Sequence, residues 1–150
     1  KNKPFPHIII DKFLPNNVAL SLAKEFPKIN QVNRKWRVHK NQNVIRYFLE
    51  DSSIFENNLK IFSMILNSRK FLLFLEALTG LNSIIPDPFF MGGGAMMAGK
   101  GGFLNVHADF NYHHKLQSWR RINALFYLTP NWKSNWGGNL ELWSKDKKKK

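Results

Sequence analysis

The chain contains no cysteine. That absence removes disulfides, thiolate zinc sites, iron–sulfur clusters and cysteine nucleophiles together. There is no apolar run of eighteen residues either, so no segment predicts a membrane-spanning helix. An apolar stretch such as residues 71–75 is short and falls inside a helical pattern. Acidic residues are scarce: 10 Asp and Glu stand against 23 Lys and Arg, giving a formal net charge of +13. Such an excess raises the question of a nucleic-acid or other polyanion partner. Part of it is local, because residues 145–150 read Lys-Asp-Lys-Lys-Lys-Lys, five positive and one negative, and the rest still carries +9. A solvated basic surface gives the same balance. Histidine is also sparse, five in all, and none follows His114. No repeat and no Ser/Gly linker divides the 150 residues, and 43% hydrophobic content suits a single domain with a real core. The expected organisation is one domain over residues 1–144 and a basic tail over 145–150. The chain opens on Lys1 rather than Met, without a basic-then-apolar leader pattern. The expectation is a cytoplasmic protein whose own N-terminus lies upstream.

Pro4-Phe5-Pro6-His7-Ile8-Ile9-Ile10-Asp11 reads as a short strand with a proline-rich lead-in. Val18, Leu22 and Phe26 recur at helical spacing until Pro27 stops them. Residues 30–50 look polar and irregular, with a short strand near residues 44–48. Ser52 or Ser53 is a candidate cap for a helix carrying Phe55, Leu59, Phe62 and Leu66. A further helix from Arg69 to Leu78 ends at Thr79-Gly80, where glycine supplies a left-handed cap. Seven of the nine glycines then fall between Gly80 and Phe103, which excludes a long helix there. Residues 102–108, 121–128 and 139–143 read as strands, the second nearly continuously apolar and so covered on both faces. Helices first and strands second predict an α+β fold, with helices packed on one side of an antiparallel sheet.

His107 and Asp109 carry the chemistry. They are two apart, so in a strand they point to one face. An imidazole and a carboxylate side by side form two thirds of the facial triad that holds non-heme Fe(II). The pair alone is a common chance pattern, but here it follows a glycine-rich turn in the β half of the chain.

The surrounding blocks are more specific. Residues 4–15 resemble the N-terminal lead-in of bacterial and phage 2-oxoglutarate/Fe(II) oxygenases of the prolyl-4-hydroxylase-like group. Met91-Gly92-Gly93-Gly94 with Gly101-Gly102-Phe103-Leu104-Asn105-Val106-His107-Ala108-Asp109-Phe110-Asn111 is similar to their metal-binding segment. Residues 120–132 resemble the following core strand and turn, and Trp136-Gly137-Gly138-Asn139-Leu140-Glu141-Leu142-Trp143 the strand after that. The resemblance implies a double-stranded β-helix, or jelly-roll, core with the N-terminal helices packed on it. It implies Fe(II) bound by His107, Asp109 and a later His, and 2-oxoglutarate held at its far carboxylate by a later basic residue, with ascorbate as a further candidate cofactor. The reaction implied is hydroxylation of a peptidyl proline, another amino-acid side chain, or a small metabolite or sugar, consuming O2.

The chain departs from that pattern. Neither the later His nor the basic anchor has a counterpart before Lys150, and the tyrosine that many relatives carry just before the metal His is replaced by Leu104 and Asn105. The expectation is therefore a partial jelly roll, truncated before the distal His. His113 and His114, four and five residues past Asp109, are alternative third ligands or plain loop histidines. Arg121 or its neighbour Arg120 is a candidate for a cofactor carboxylate, since arginine pairs with carboxylates through two parallel bonds. Asn123 and Tyr127 share one face of the expected strand and are candidates to line the pocket. Gly94-Ala95-Met96-Met97-Ala98-Gly99-Lys100-Gly101 approaches a phosphate-binding loop, but lacks the Ser or Thr after the lysine and the helix after that, so it reads as a flexible loop between strands. Trp36, among Arg34, Lys35 and Arg37, is the best place for a base to stack. It supports the alternative of a catalytically incomplete basic binding module for nucleic acid or another polyanion.

Overall fold

The computed structural model describes residues 3–28 and 36–146. The first helix, α1 (Asn16–Glu25), starts after Pro15 and stops ahead of Pro27, as the sequence predicts. It buries Leu22 almost completely, whereas Val18 stays 37% exposed. A hairpin follows, β1 (Arg37–Asn41) and β2 (Val44–Leu49), paired from Arg37↔Phe48 to Asn41↔Val44. The Asn43 N–H donates to the Asn41 side-chain oxygen at 2.8 Å and so sets the turn. β2 lies where the sequence places it. β1 carries no apolar alternation, all five of its residues are exposed, and nothing in its pattern announced a strand.

Ser52–Ile54 forms a short 3-10 turn capped by Asp51, which accepts from the Ser53 N–H at 3.0 Å. The next helix, α2 (Asn57–Leu66), begins after it and takes no side-chain cap from its own N-cap residue, Glu56. Its cap comes across the structure from α1. The Glu25 carboxylate accepts from the Leu59 N–H at 3.2 Å and from the Asn58 amide at 2.7 Å. Desolvation pulls the Glu25 carboxyl up, but the donors from Asn58, Leu59 and Ser21 outweigh it and hold it below the ordinary value. A carboxyl lowered by folding adds stability above its unfolded value of about 4.3, and that stability is lost as the pH falls through the lower folded value. Thermal melts of Glu25→Gln should therefore lie below wild type at pH 6, and the gap should close in the acid range below about pH 4. A gap that is constant from pH 6 to pH 3 refutes the cap.

The third helix, α3 (Arg69–Thr79), has both ends the sequence predicts. Ser68 accepts from the Phe71 N–H at 3.3 Å, and Gly80 takes φ +73° with its N–H on the Glu76 carbonyl at 2.9 Å. Two short strands, β3 (Ala95–Met97) and β4 (Phe103–Leu104), then pair antiparallel with the same β2. Residues 98–102 stand opposite Arg46 alone, so the glycine-lysine segment is a loop extruded between two pieces of one strand. The stretch read as a wholly flexible loop is thus partly sheet. The last pair, β5 (Tyr112–His113) and β6 (Ser118–Trp119), is a separate small hairpin.

Among the described residues, three helices with antiparallel sheets make the α+β arrangement expected, though the β1–β2 hairpin stands between α1 and α2 rather than after the helices. The core gathers Leu22, Leu49, Phe55, Leu59 and Ala95 where α1 and α2 meet the Leu49↔Ala95 end of the sheet. Elsewhere the expected strands differ. Residues 8–11 form none, residues 102–108 contribute only β4, and residues 139–143 contribute a single bridge at Trp143. Residues 121–128 have no ladder partner among the described residues, and a strand exists only through its ladder. That segment is covered on one side rather than both. Phe126 packs on Phe62 at 5.1 Å and on Phe13 and Phe71, and Leu128 packs on the core, while Leu125 and Tyr127 face outward. A complete double-stranded β-helix is not laid out among the described residues. Among the described residues no helix is long and apolar enough to cross a membrane. Most of the basic tail, residues 147–150, lies outside the described residues.

Candidate metal centre

β4 delivers the chain to the site. Just past it the Asn105 N–H donates to the Asn43 carbonyl at 2.8 Å, and the two side chains meet at 3.3 Å, so the β1–β2 turn holds the segment that follows. The Asn105 carbonyl in turn accepts from Nδ1 of His107 at 2.8 Å. A carbonyl cannot donate, so the proton sits on Nδ1 and the neutral ring presents a lone pair at Nε2. That Nε2 lies 3.1 Å from Oδ1 of Asp109. At this distance the ring nitrogen and the carboxylate oxygen can share a hydrogen bond or a metal ion. First-row divalent ions bind imidazole nitrogen and carboxylate oxygen at about 2.0–2.2 Å, so two ligands at right angles stand about 3 Å apart. The pair therefore fits a shared cation, and the carbonyl behind the imidazole is the kind of partner that orients metal-binding histidines.

The other carboxylate oxygen is fully used. Oδ2 of Asp109 is ion-paired with the Arg120 guanidinium at 3.2 Å and accepts a hydrogen bond from the Asn123 amide at 3.1 Å. The Arg120 guanidinium also lies over the Phe110 ring, 4.6 Å from its centroid. Phe110 fits because residue 92 is glycine: a Cβ there would come within 2.6 Å of the ring. The Gly92 N–H is tied to Glu50 at 2.7 Å, which anchors this wall to the sheet.

Of the residues singled out from the sequence, His107, Asp109 and Asn123 are brought together. Arg121 is exposed and makes no hydrogen bond or ion pair among the described residues, and Arg120 takes the contact instead. Tyr127 is 72% exposed, with its phenol pushed above the ordinary value by desolvation on its packed side. Without a ladder at residues 121–128, the parity that paired Tyr127 with Asn123 does not operate.

His113 offers no lone pair. It is 5% exposed, its Nδ1 accepts from the Leu116 N–H at 3.1 Å, and its Nε2–H donates to Asp87 at 3.2 Å. His114 packs on Tyr112. Among the described residues no three His, Cys, Asp or Glu side chains gather into a metal site. Trp36 does not serve as a stacking platform, because its ring packs against the core and Phe26, while Arg34 and Lys35 lie outside the described residues. Asp87 went unnoticed in the sequence, and neither the pairing of Arg120 with Asp109 nor the room that Gly92 leaves for Phe110 was expected. Asp87 accepts from the Phe89 and Met91 N–H groups as well as from His113, so it ties the small hairpin to the turn before β3.

Residues 93–150 match the family model of the 2OG-Fe(II) oxygenase superfamily. His107, Asp109, Arg120 and Asn123 all lie inside the matched segment, whereas Glu50, Asp87 and Gly92 lie before it. The match spans less than half of the chain. No curated protein and no solved structure matches it.

Proposed function

We propose that this protein is a 2-oxoglutarate- and Fe(II)-dependent dioxygenase with a jelly-roll-like core, hydroxylating a peptidyl proline, another amino-acid side chain or a small metabolite. The observation that carries the reading is the 3.1 Å approach of His107 Nε2 to Asp109 Oδ1, with Nδ1 already committed to a carbonyl. It is supported by the superfamily match across the same residues.

His107 and Asp109 would hold the iron, one through a neutral nitrogen and one through a single charged oxygen. Bound iron with 2-oxoglutarate supplies activation of O2 coupled to decarboxylation of the keto acid. The chain's own part is orientation. Asn105 fixes the plane of the imidazole, Asn123 and Arg120 fix that of the carboxylate, and Phe110 packs beneath the guanidinium. The pair is open to solvent on one side, with side chains 44% and 47% exposed, which leaves room for a cofactor and substrate. The Tyr127 phenol is a hydrogen-bond donor on the exposed side of the same segment.

Anaerobic titration with Fe(II) and 2-oxoglutarate tests the reading. The chelated complex should give a visible charge-transfer band, and His107→Ala should abolish it. A wild-type protein that gives no band with iron and keto acid in excess sinks the assignment.

A further inference from the structure

Two different partners, the Arg120 guanidinium by an ion pair and the Asn123 amide by a hydrogen bond, converge on one oxygen of Asp109 and neither of them on the other. We infer that Arg120 and Asn123 are positioning residues that lock Asp109 as a one-oxygen ligand, with Oδ1 turned toward His107. This rests on the metal reading of the site. A free carboxylate rotates easily about its last bond and can grip a cation with both oxygens. Here Oδ2 is held at 3.2 Å by Arg120 and at 3.1 Å by Asn123, so a metal meets Oδ1 alone and keeps one more coordination position open. The lock is itself built in. The Arg120 side chain is only 19% exposed and rests on Phe110. Its backbone N–H closes the base of the small hairpin on the Asn111 carbonyl at 2.8 Å.

The charge of Arg120 works against a cation, while its hold on Oδ2 works for one. Removing it separates the two effects, because a purely electrostatic role predicts tighter metal binding and a positioning role predicts weaker binding. Partners of metal ligands typically account for about 10–100-fold in affinity. Mn(II) is the probe, titrated calorimetrically into the full chain without cofactor. Arg120→Met keeps an apolar stem against Phe110 and should weaken Mn(II) binding about tenfold or more. Lys100→Met, which removes one exposed positive charge from the extruded loop, should leave it unchanged. Unchanged or tighter binding in Arg120→Met overturns the inference.

A second arm needs no metal. In the metal-free protein the Asn123 amide and Arg120 guanidinium NMR signals should shift together on Asp109→Asn. Signals that ignore the substitution also overturn the lock. If wild type shows no Mn(II) affinity, the functional reading fails, and the NMR arm alone decides whether the lock exists.

Discussion

Gly94→Ala should lower the melting temperature by about 6–12 °C. The residue sits at φ +75°, where an L side chain costs about 1–2 kcal/mol. A Cβ there would also lie 2.2 Å from the Leu49 carbonyl oxygen, and that contact is backbone, so no side chain can swing aside. Relief requires β3 to part from β2 at Leu49↔Ala95, the pair that carries the sheet into the core. Strain plus displacement amounts to about 3 kcal/mol, and a domain of this size loses about 2–4 °C per kcal/mol. Gly101→Ala is the matched control. Its φ is also +75°, but its Cβ would meet open space, so only the conformational cost remains. If the two variants melt within a degree or two of each other, the clash at Leu49 is not what fixes glycine at 94.

The helices were legible because each rests on local signals. Ser68 and Gly80 mark the ends of α3 by their own chemistry, and Pro27 ends the pattern that buries Leu22. The cap of α2 was not legible, since Glu25 lies more than thirty residues away and no short-range rule connects it to Leu59. β1 was hidden by its exposure: a strand whose five side chains all face solvent has no alternation to read. Residues 121–128 failed in the opposite sense. Their composition favours a strand, yet composition cannot supply the neighbour that makes a ladder, and Phe126 attaches the segment to helices instead.

The site divides the same way. His107 and Asp109 stood out because two ligands two residues apart form a local pattern, and the structure sets them 3.1 Å apart. Arg120 was one of two adjacent arginines, and choosing between them required the chain path rather than the strand parity assumed for residues 121–128. Gly92 gave no sign that it makes room for Phe110, because the contact joins the turn before β3 to a residue beyond β4.

Asp109→Asn should weaken Fe(II) or Mn(II) binding about 100-fold, equivalent to about 2.7 kcal/mol. The substitution keeps shape and volume, so packing is not the cause. It removes the negative charge that faces His107 and offers the metal a neutral oxygen or an amide nitrogen in place of a carboxylate. It also leaves the Arg120 guanidinium without its counter-ion, on the Phe110 ring, which adds an uncompensated positive charge near the bound cation. Both effects act in one direction. Folding should change little, because the Asp109 side chain is 47% exposed and exposed ion pairs contribute about 0–1 kcal/mol. Asp109→Glu separates charge from position. It restores the carboxylate one methylene further out, where one oxygen can no longer meet Arg120 and Asn123 while the other faces His107. Its affinity should fall between wild type and Asp109→Asn. Calorimetry on the three proteins, with circular dichroism to confirm equal folding, checks the order. Wild-type affinity in Asp109→Asn shows that the carboxylate does not hold the metal. Equal affinity in Asp109→Glu and wild type shows that the charge matters and its placement does not.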